Sequence, residues 1–342
     1  MRGVRGVAAA LGAVLLCATV FVSVQANRRP QLGPYASLQL PAASTASPVR
    51  VSFAGVSTLM FDDGETKFIT DGFFTRPGLS RLLLARIATD ERAVDAGLAR
   101  LGADRLAAVV VLHGHYDHAM DAPSVARRTG ALLVGDESAL NVARGAGLAS
   151  RALRRVQPGD VLQLGKWRLT FIASRHSPTP LGDGEGGERI DRPLVQPARG
   201  TAWREGEVWS LLVEHRSGRS YLVQGSAGFV EGALRARKAD VVFLGVGAAG
   251  KRPEDYRTRL WAEVPKAVGA RMVIPVHWDD PWQGLEEPLR AMPYLADDFA
   301  ATMAQFQQLA AKEHVALRLP PPFVPFDPHA DAMLAVPDGL RR

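Results

Sequence analysis

One short stretch limits the fold of this chain more than any other: an apolar run that ends in three imidazoles and a carboxylate within six residues. Residues 107–112 (AAVVVL) read as a buried strand, and the run stops at His113, the first residue of HGHYDH. Imidazole nitrogen and carboxylate oxygen are the ligands that Zn²⁺ and similar divalent ions prefer. In an extended stretch alternate side chains point the same way, so His113 and His115 can chelate one ion. Asp117 and His118 come after the chain turns and can reach a second position nearby. The alternative is a solvated polar loop, for which this spacing has no purpose.

The pattern of a strand followed by a special residue repeats. Phe68-Ile69-Thr70 ends at Asp71, and residues 169–173 lead through Ser174 and Arg175 to His176. Residues 221–224 end at the small run GSAG (225–228), and residues 272–276 end at His277. In layered α/β proteins sites gather at the carboxyl ends of strands, because loops converge there while the sheet stays rigid. Helical segments fall between the strands. Asp121 is the expected N-cap of a helix over 122–129 with Gly130 as its stop. Residues 90–101 and 297–312 have helical apolar spacing and acidic starts. Residues 177–207 contain LGDGEGGERIDRP, without a period, and are expected to form a long mobile surface flap after His176.

With 47% hydrophobic and 22% charged residues, a packed core is expected rather than disorder. The formal charge of +6 is spread over single or paired basic residues, such as Arg127–Arg128, that read as solvated helix faces. No aromatic-and-basic stripe points to nucleic acid. The charge indicates at most a mild preference for anionic substrates or surfaces. Cys17 is the only cysteine, which excludes a disulfide scaffold and a cysteine-ligated zinc site.

The ends of the chain read separately from its middle. Arg2 and Arg5 precede an unbroken apolar and small-residue run over 7–24, and Val24-Gln25-Ala26 offers a cleavage site. Residues 1–26 are therefore expected to be a signal peptide or an N-terminal membrane anchor. The protein would then be periplasmic or held on the outer face of the inner membrane, with membrane contact only through this segment. A buried core helix would need a polar face, which the run lacks. Leu16 before Cys17 argues against lipidation. Residues 27–48, rich in Pro, Ala, Ser and Gln, are expected to be a flexible tether. One folded domain is expected over 49–320, followed by a loose tail over 321–342.

HGHYDH matches the HxHxDH motif of the metallo-β-lactamase superfamily, and FAGVSTLMFDDGETKFITDGFF resembles the opening strands of that fold. His176, the GSAG run and VIPVHWDD follow in the order of its later motifs. Within the superfamily the chain looks most similar to the branch of L-ascorbate-6-phosphate lactonase and N-acylphosphatidylethanolamine phospholipase D. The resemblance implies an α/β fold, a four-layer αβ/βα sandwich, with metals at one edge between the sheets. It implies that His113, His115 and His176 hold a first ion, and that Asp117, His118 and His277 hold a second. Asp71 would support the histidine loop from behind. Zn²⁺ is the expected ion, one or two per chain, with Mn²⁺ or Fe²⁺ as alternatives.

One position departs from the family. An aspartate usually follows the glycine of the fourth motif and bridges the two ions; here Gly225 is followed by Ser226, a poor substitute for an anion. Asp279 or Asp280 could compensate. The expected activity is hydrolysis of an ester, lactone or phosphoester by metal-bound hydroxide, with Asp117 as the catalytic carboxylate that orients water or acts as base. Its substrate would be a small or lipid-like molecule, and an anionic one is what the basic balance favours. The rival is a metal-binding protein that kept the fold and lost turnover with the bridging aspartate. His215 in EHRSGRS reads as a hairpin turn, His314 as a helix-end residue and His329 as part of the tail; none is assigned chemistry.

Overall fold

A computed structural model describes Cys17, Val20 and residues 24–178 and 187–330. The residues expected to form the leader lie mostly outside this set. Among the described residues no helix is long and apolar enough to cross a membrane.

Two mixed sheets carry the domain. Strands β1 (Arg50–Phe53), β2 (Leu59–Asp62) and β3 (Lys67–Thr70) form an antiparallel meander. After β4 (Arg86–Ile87), strands β5 (Ala108–Val110), β6 (Leu132–Gly135) and β7 (Leu153–Arg155) extend that sheet in parallel from β3, in the order β1-β2-β3-β5-β6-β7. The second sheet starts with the hairpin β8 (Val161–Leu164) and β9 (Trp167–Ser174). After β10 (Ala198–Arg199), which pairs with β4, come β11 (Val208–His215), β12 (Ser220–Gln224), β13 (Val241–Gly245), β14 (Met272–Val276) and β15 (Ala316–Leu317). Its order is β15-β14-β13-β12-β11-β9-β8, with β12 to β15 parallel.

The sheets pack face to face through aromatic side chains. Phe61 of β2 stacks on Phe68 at 4.9 Å between ring centroids. It also meets Trp167, Tyr221 and Phe243 of the other sheet edge-on at 5.5–5.8 Å. Such edge-to-face pairs add to the free energy of area burial, and this cluster locks the two layers together. Helices Glu91–Leu101, Ala122–Thr129 and Glu137–Gly145 cover the outer face of the first sheet through a second apolar cluster. Helices Glu254–Trp261 and Phe299–Glu313 cover the second sheet. The four-layer sandwich expected from the resemblance is therefore the fold observed.

Two helix starts differ in detail. Asp121 precedes Ala122–Thr129 as expected, but its carboxylate does not cap that helix. It accepts instead from the backbone N–H of Phe74 and Thr75 and from the Thr75 hydroxyl, tying the loop after β3 to the helix layer. The last long helix is capped by Asp298, not Asp297, whose buried carboxylate accepts from Gly250 N–H.

Three segments expected to be loose are packed. In the supposed tether, Leu40 and Val49 are buried, and the Leu40 N–H donates to the Leu319 carbonyl. Tyr35 sits edge-on to Phe299 at 5.7 Å, and Arg29 pairs with Asp280 at 2.7 Å. In the tail, Phe326 is fully buried and exchanges two backbone hydrogen bonds with Val51, while Asp327 pairs with Arg219 at 2.8 Å. Residues 331–342 of the expected tail lie outside the described residues. In the supposed flap, residues 187–207 bury Ile190 and Trp203 and donate or accept backbone bonds with Asn141. Residues 179–186 lie outside the described set. The physical reason is common to all three: isolated apolar anchors and backbone hydrogen bonds hold irregular chain without producing any period.

Candidate metal centre

Each strand end that the sequence marked delivers its residue to one place. The loop after β5 carries His113 and His115, and the short helix Tyr116–Ala119 that follows carries Asp117 and His118. His176 comes from beyond β9, and His277 follows β14. One candidate ligand atom from each of His113, His115 and His176 lies within 4.8 Å of the others, and Asp117, His118 and His277 form a second such group. The groups adjoin, since the His113 and His118 rings are 3.7 Å apart between centroids. His115 and His176 are 4.6 Å apart, and His118 and His277 5.3 Å.

The backbone is held in costly conformations to achieve this. Asp71 and His277 both have φ of 57°, and Val56, a β-branched residue, has φ of 49°. The His277 N–H donates to the Val56 carbonyl at 2.7 Å, and the Val56 N–H donates to the Asp279 carboxylate at 2.8 Å. Asp279 is fully buried and pairs with buried Arg76 at 2.7 Å. Gly114, inside HGHYDH, donates its N–H to the Glu205 carbonyl at 2.7 Å. A side chain at Gly114 would meet the Arg204 carbonyl oxygen at 2.3 Å, so this close approach requires glycine.

Asp71 stands where the resemblance placed it. Its Oδ2 lies 2.8 Å from His118 Nδ1 and accepts from the Ser57 hydroxyl at 2.6 Å, while its Oδ1 accepts from the Leu112 N–H at 2.8 Å. A carboxylate behind a histidine fixes the ring and its tautomer, leaving the far nitrogen as donor to an ion. His118 Nε2 is that far nitrogen; it is buried and has no hydrogen-bond partner. His113 Nε2 and His115 Nδ1 face each other at 3.1 Å, where two lone pairs repel unless a proton or cation lies between them. Asp117 Oδ2 is 3.2 Å from His277 Nε2 and 3.8 Å from His118 Nε2. The residues present thus fit a divalent ion.

Electrostatics agree. Burial pushes His115 down to about 4 and His176 down to about 3, with the neighbouring imidazoles adding to the effect at His176. Burial and then His118 hold His113 well below the usual histidine range. Near neutral pH these rings are uncharged, the state in which imidazole binds metal. Burial works against the Asp117 anion, yet His118 and His277 outweigh it and hold its carboxyl far below the ordinary carboxylate range. His118 goes the other way: burial opposes its cation, but Asp71 and Asp117 raise it.

Ser226 is buried, and its hydroxyl accepts from the Ser177 N–H at 2.9 Å. It therefore braces the chain just after His176. The two carboxylates that could have replaced a bridging aspartate are engaged elsewhere, Asp279 with Arg76 and Asp280 with Arg29. His215 closes β11 and pairs with Asp63 at 3.2 Å, His314 ends its helix in the left-handed conformation and His329 packs on Tyr221; none joins the centre. Sequence reasoning passed over Ser57, 3.1 Å from His118 Nδ1, and the Arg76–Asp279 pair. A serine in a turn and an arginine far from the motif carry no local signal of such contacts.

The profile of the Beta-lactamase superfamily domain matches residues 69–278. A UPF0173 metal-dependent hydrolase of Heliobacterium modesticaldum is 25% identical over 243 residues, 68% of this chain and 83% of that protein. Another, from Chloroflexus aurantiacus, is 32% identical over 82 residues, 24% of this chain and 34% of its own length. Among solved structures, Igni18, a metallo hydrolase from Ignicoccus hospitalis, covers 79% of this chain and 94% of its own at 16% identity, with a TM-score of 0.51. That likeness concerns the fold alone. With the profile spanning more than half of its length, and with the fold and the histidine groups arranged as described, this chain belongs to the beta-lactamase superfamily.

Proposed function

We propose that the protein is a metal-dependent hydrolase acting on an ester, lactone or phosphoester. The observation that carries this reading is the pair of adjoining ligand groups, His113/His115/His176 and Asp117/His118/His277, at the strand ends. The naming of its relatives as metal-dependent hydrolases supports it. A divalent ion at such a site lowers the pKa of water and polarises the bond under attack. His113, His115 and His176 would hold Zn²⁺ through three imidazole nitrogens, a donor set that suits this ion.

The protein's own groups divide the remaining work. Asp117, kept ionised by His118 and His277, is suited to accept a hydrogen bond from the attacking water and to orient it. Asp71 fixes His118, and Ser226 holds the chain beside His176. A non-catalytic metal-binding role has one observation in its favour: Ser226 spends its hydroxyl on Ser177, and Asp279 and Asp280 are bound to arginines.

Metal analysis with a panel of chromogenic esters, lactones and phosphodiesters separates these readings. One tightly held ion per chain, a weaker second and turnover of at least one substrate class are expected. Ser226→Asp should tighten the second site by roughly 10- to 100-fold, the range over which supporting groups act on metal affinity. Metal-loaded protein that turns over none of the panel would favour the non-catalytic role. Two equally tight ions in the wild type would show that the bridge is supplied elsewhere.

The reading extends to location: export, with the protein periplasmic or anchored outside the inner membrane, supported by Arg2, Arg5 and the apolar run over 7–24. N-terminal sequencing of protein from the periplasmic and membrane fractions checks this. Recovery from the cytoplasmic fraction alone, with Met1 retained, would refute it.

A further inference from the structure

Away from the metal centre, Ser217, His215 and Asp63 are joined in the order of a nucleophile, its base and an orienting carboxylate. Ser217 Oγ lies 2.8 Å from His215 Nδ1, and His215 Nε2 lies 3.2 Å from Asp63 Oδ2. Both sheets contribute. Asp63 follows β2 in the first, whereas His215 ends β11 in the second and Ser217 sits in the turn to β12. Strands β3 and β12 begin at this end and lead to Asp71 and Gly225 at the other. The group therefore lies a strand's length, roughly 15 Å, from the metal centre.

The hydrogen bonds fix where each proton sits. The Ser217 N–H donates to His215 Nδ1 at 3.2 Å, so Nδ1 is the bare nitrogen and Nε2 carries the proton that Asp63 accepts. With Nδ1 an acceptor, the Ser217 hydroxyl can only donate to it. The Asp63 side chain is 1% exposed, and its Oδ1 accepts from the Glu65 and Thr66 N–H groups at 2.9 and 2.6 Å. Burial opposes the Asp63 anion, but the Thr66 and Glu65 N–H groups and His215 hold its carboxyl below the ordinary carboxylate range. Trp167 packs on the buried His215 ring at 4.5 Å between centroids, while Ser217 is exposed. The turn needs none of this to close. Gly218 supplies a φ of 87° and donates its N–H to the His215 carbonyl at 2.9 Å. An accessible hydroxyl that donates to a histidine oriented by a buried carboxylate has the roles of a serine nucleophile and its base, whichever ring nitrogen faces which partner.

We propose that Ser217 is a second, metal-independent nucleophile, which takes one acyl group per chain from an activated carboxylic ester. Its Oγ adds to the ester carbonyl carbon while its proton passes to His215 Nδ1. The ester C–O bond then breaks, and His215 returns that proton to the departing alcohol, leaving acyl-Ser217. The site is independent of the hydrolase reading, and one equivalent of alcohol per chain distinguishes it from turnover at the metal centre.

The test treats the full-length protein, stripped of metal by a chelator, with 4-nitrophenyl acetate and maps the acetyl groups by mass spectrometry. Ser217 should be acetylated roughly 100-fold faster than the exposed Ser80, the lower end of what a placed base contributes. Ser217→Ala should lose that fast acetyl group, and His215→Gln should slow it to the rate of Ser80. Asp63→Asn can still accept the two backbone N–H groups but no longer fixes the tautomer, and should slow acetylation by about tenfold or more. In that variant the ¹⁵N resonances of His215 should change from a bare Nδ1 and protonated Nε2 to a mixture of tautomers, a signature that a merely structural Asp63 would not give. Ser217 acetylated no faster than Ser80, or fast acetylation that survives Ser217→Ala, would overturn the proposal and leave the assignment of the metal centre untouched.

Discussion

Alanine at His113 is expected to weaken metal binding by more than about 100-fold and to abolish any hydrolysis. The lower bound follows from magnitude: removing a group that merely supports a ligand costs 10- to 100-fold, and His113 is placed to be a ligand. Its ring is fully buried, 5.0 Å from that of His176 and 3.7 Å from that of His118, so it touches both ligand groups. His115→Ala should act in the same direction but chiefly on the first ion. His215→Ala is the control for metal content, since that ring closes β11 and pairs with Asp63 outside the centre. Metal content after exhaustive dialysis, measured on all three variants with circular dichroism to confirm folding, decides the matter. Equal metal content in the three would end the assignment of HGHYDH as the binding loop.

How far this could be read in advance differs from residue to residue. His113, His115, Asp117 and His118 were legible because ligands on one loop have a spacing, and spacing survives in sequence. His176 and His277 were legible at one remove: each follows an apolar run short enough to be a strand, and strand ends converge. Ser226 was visible only as a departure from a pattern, and its bond to Ser177 came from the structure. The Arg76–Asp279 pair spans most of the domain in sequence and left no local trace; Asp279 read instead as a spare carboxylate for the metals. The same limit explains the tether and flap. Leu40 against Leu319, and Ile190 against Asn141, are single long-range contacts, and periodicity registers only repeated ones. The fold's layers were readable because their apolar runs repeat, whereas the clamps that hold its irregular parts were not.

Asp279→Ala is expected to destabilise the protein by about 3–5 kcal/mol, the cost of removing one partner from a buried ion pair. The pair lies at 2.7 Å with both side chains fully buried, so alanine leaves the Arg76 charge uncompensated. Its guanidinium keeps only the carbonyls of Asp280 and, more distantly, Ala54. The substitution also frees the Val56 N–H, which Asp279 accepts at 2.8 Å, and Val56 then has less to hold its unfavourable φ of 49°. Because the Val56 carbonyl accepts from the His277 N–H, the disturbance runs directly to the second ligand group. The unfolding temperature should therefore fall by roughly 6–20 °C, at the 2–4 °C per kcal/mol typical of larger domains. Affinity for the second ion should fall with it, while the first, held from β5 and β9, changes less. Arg76→Met in the same background removes the stranded charge and should recover much of the lost stability, since apolar replacement of a buried pair is often neutral. It should not recover second-ion affinity, because the Val56 N–H stays without its acceptor. Restoration of both by the double substitution would show that charge alone, and not the Asp279–Val56–His277 chain, supports the centre.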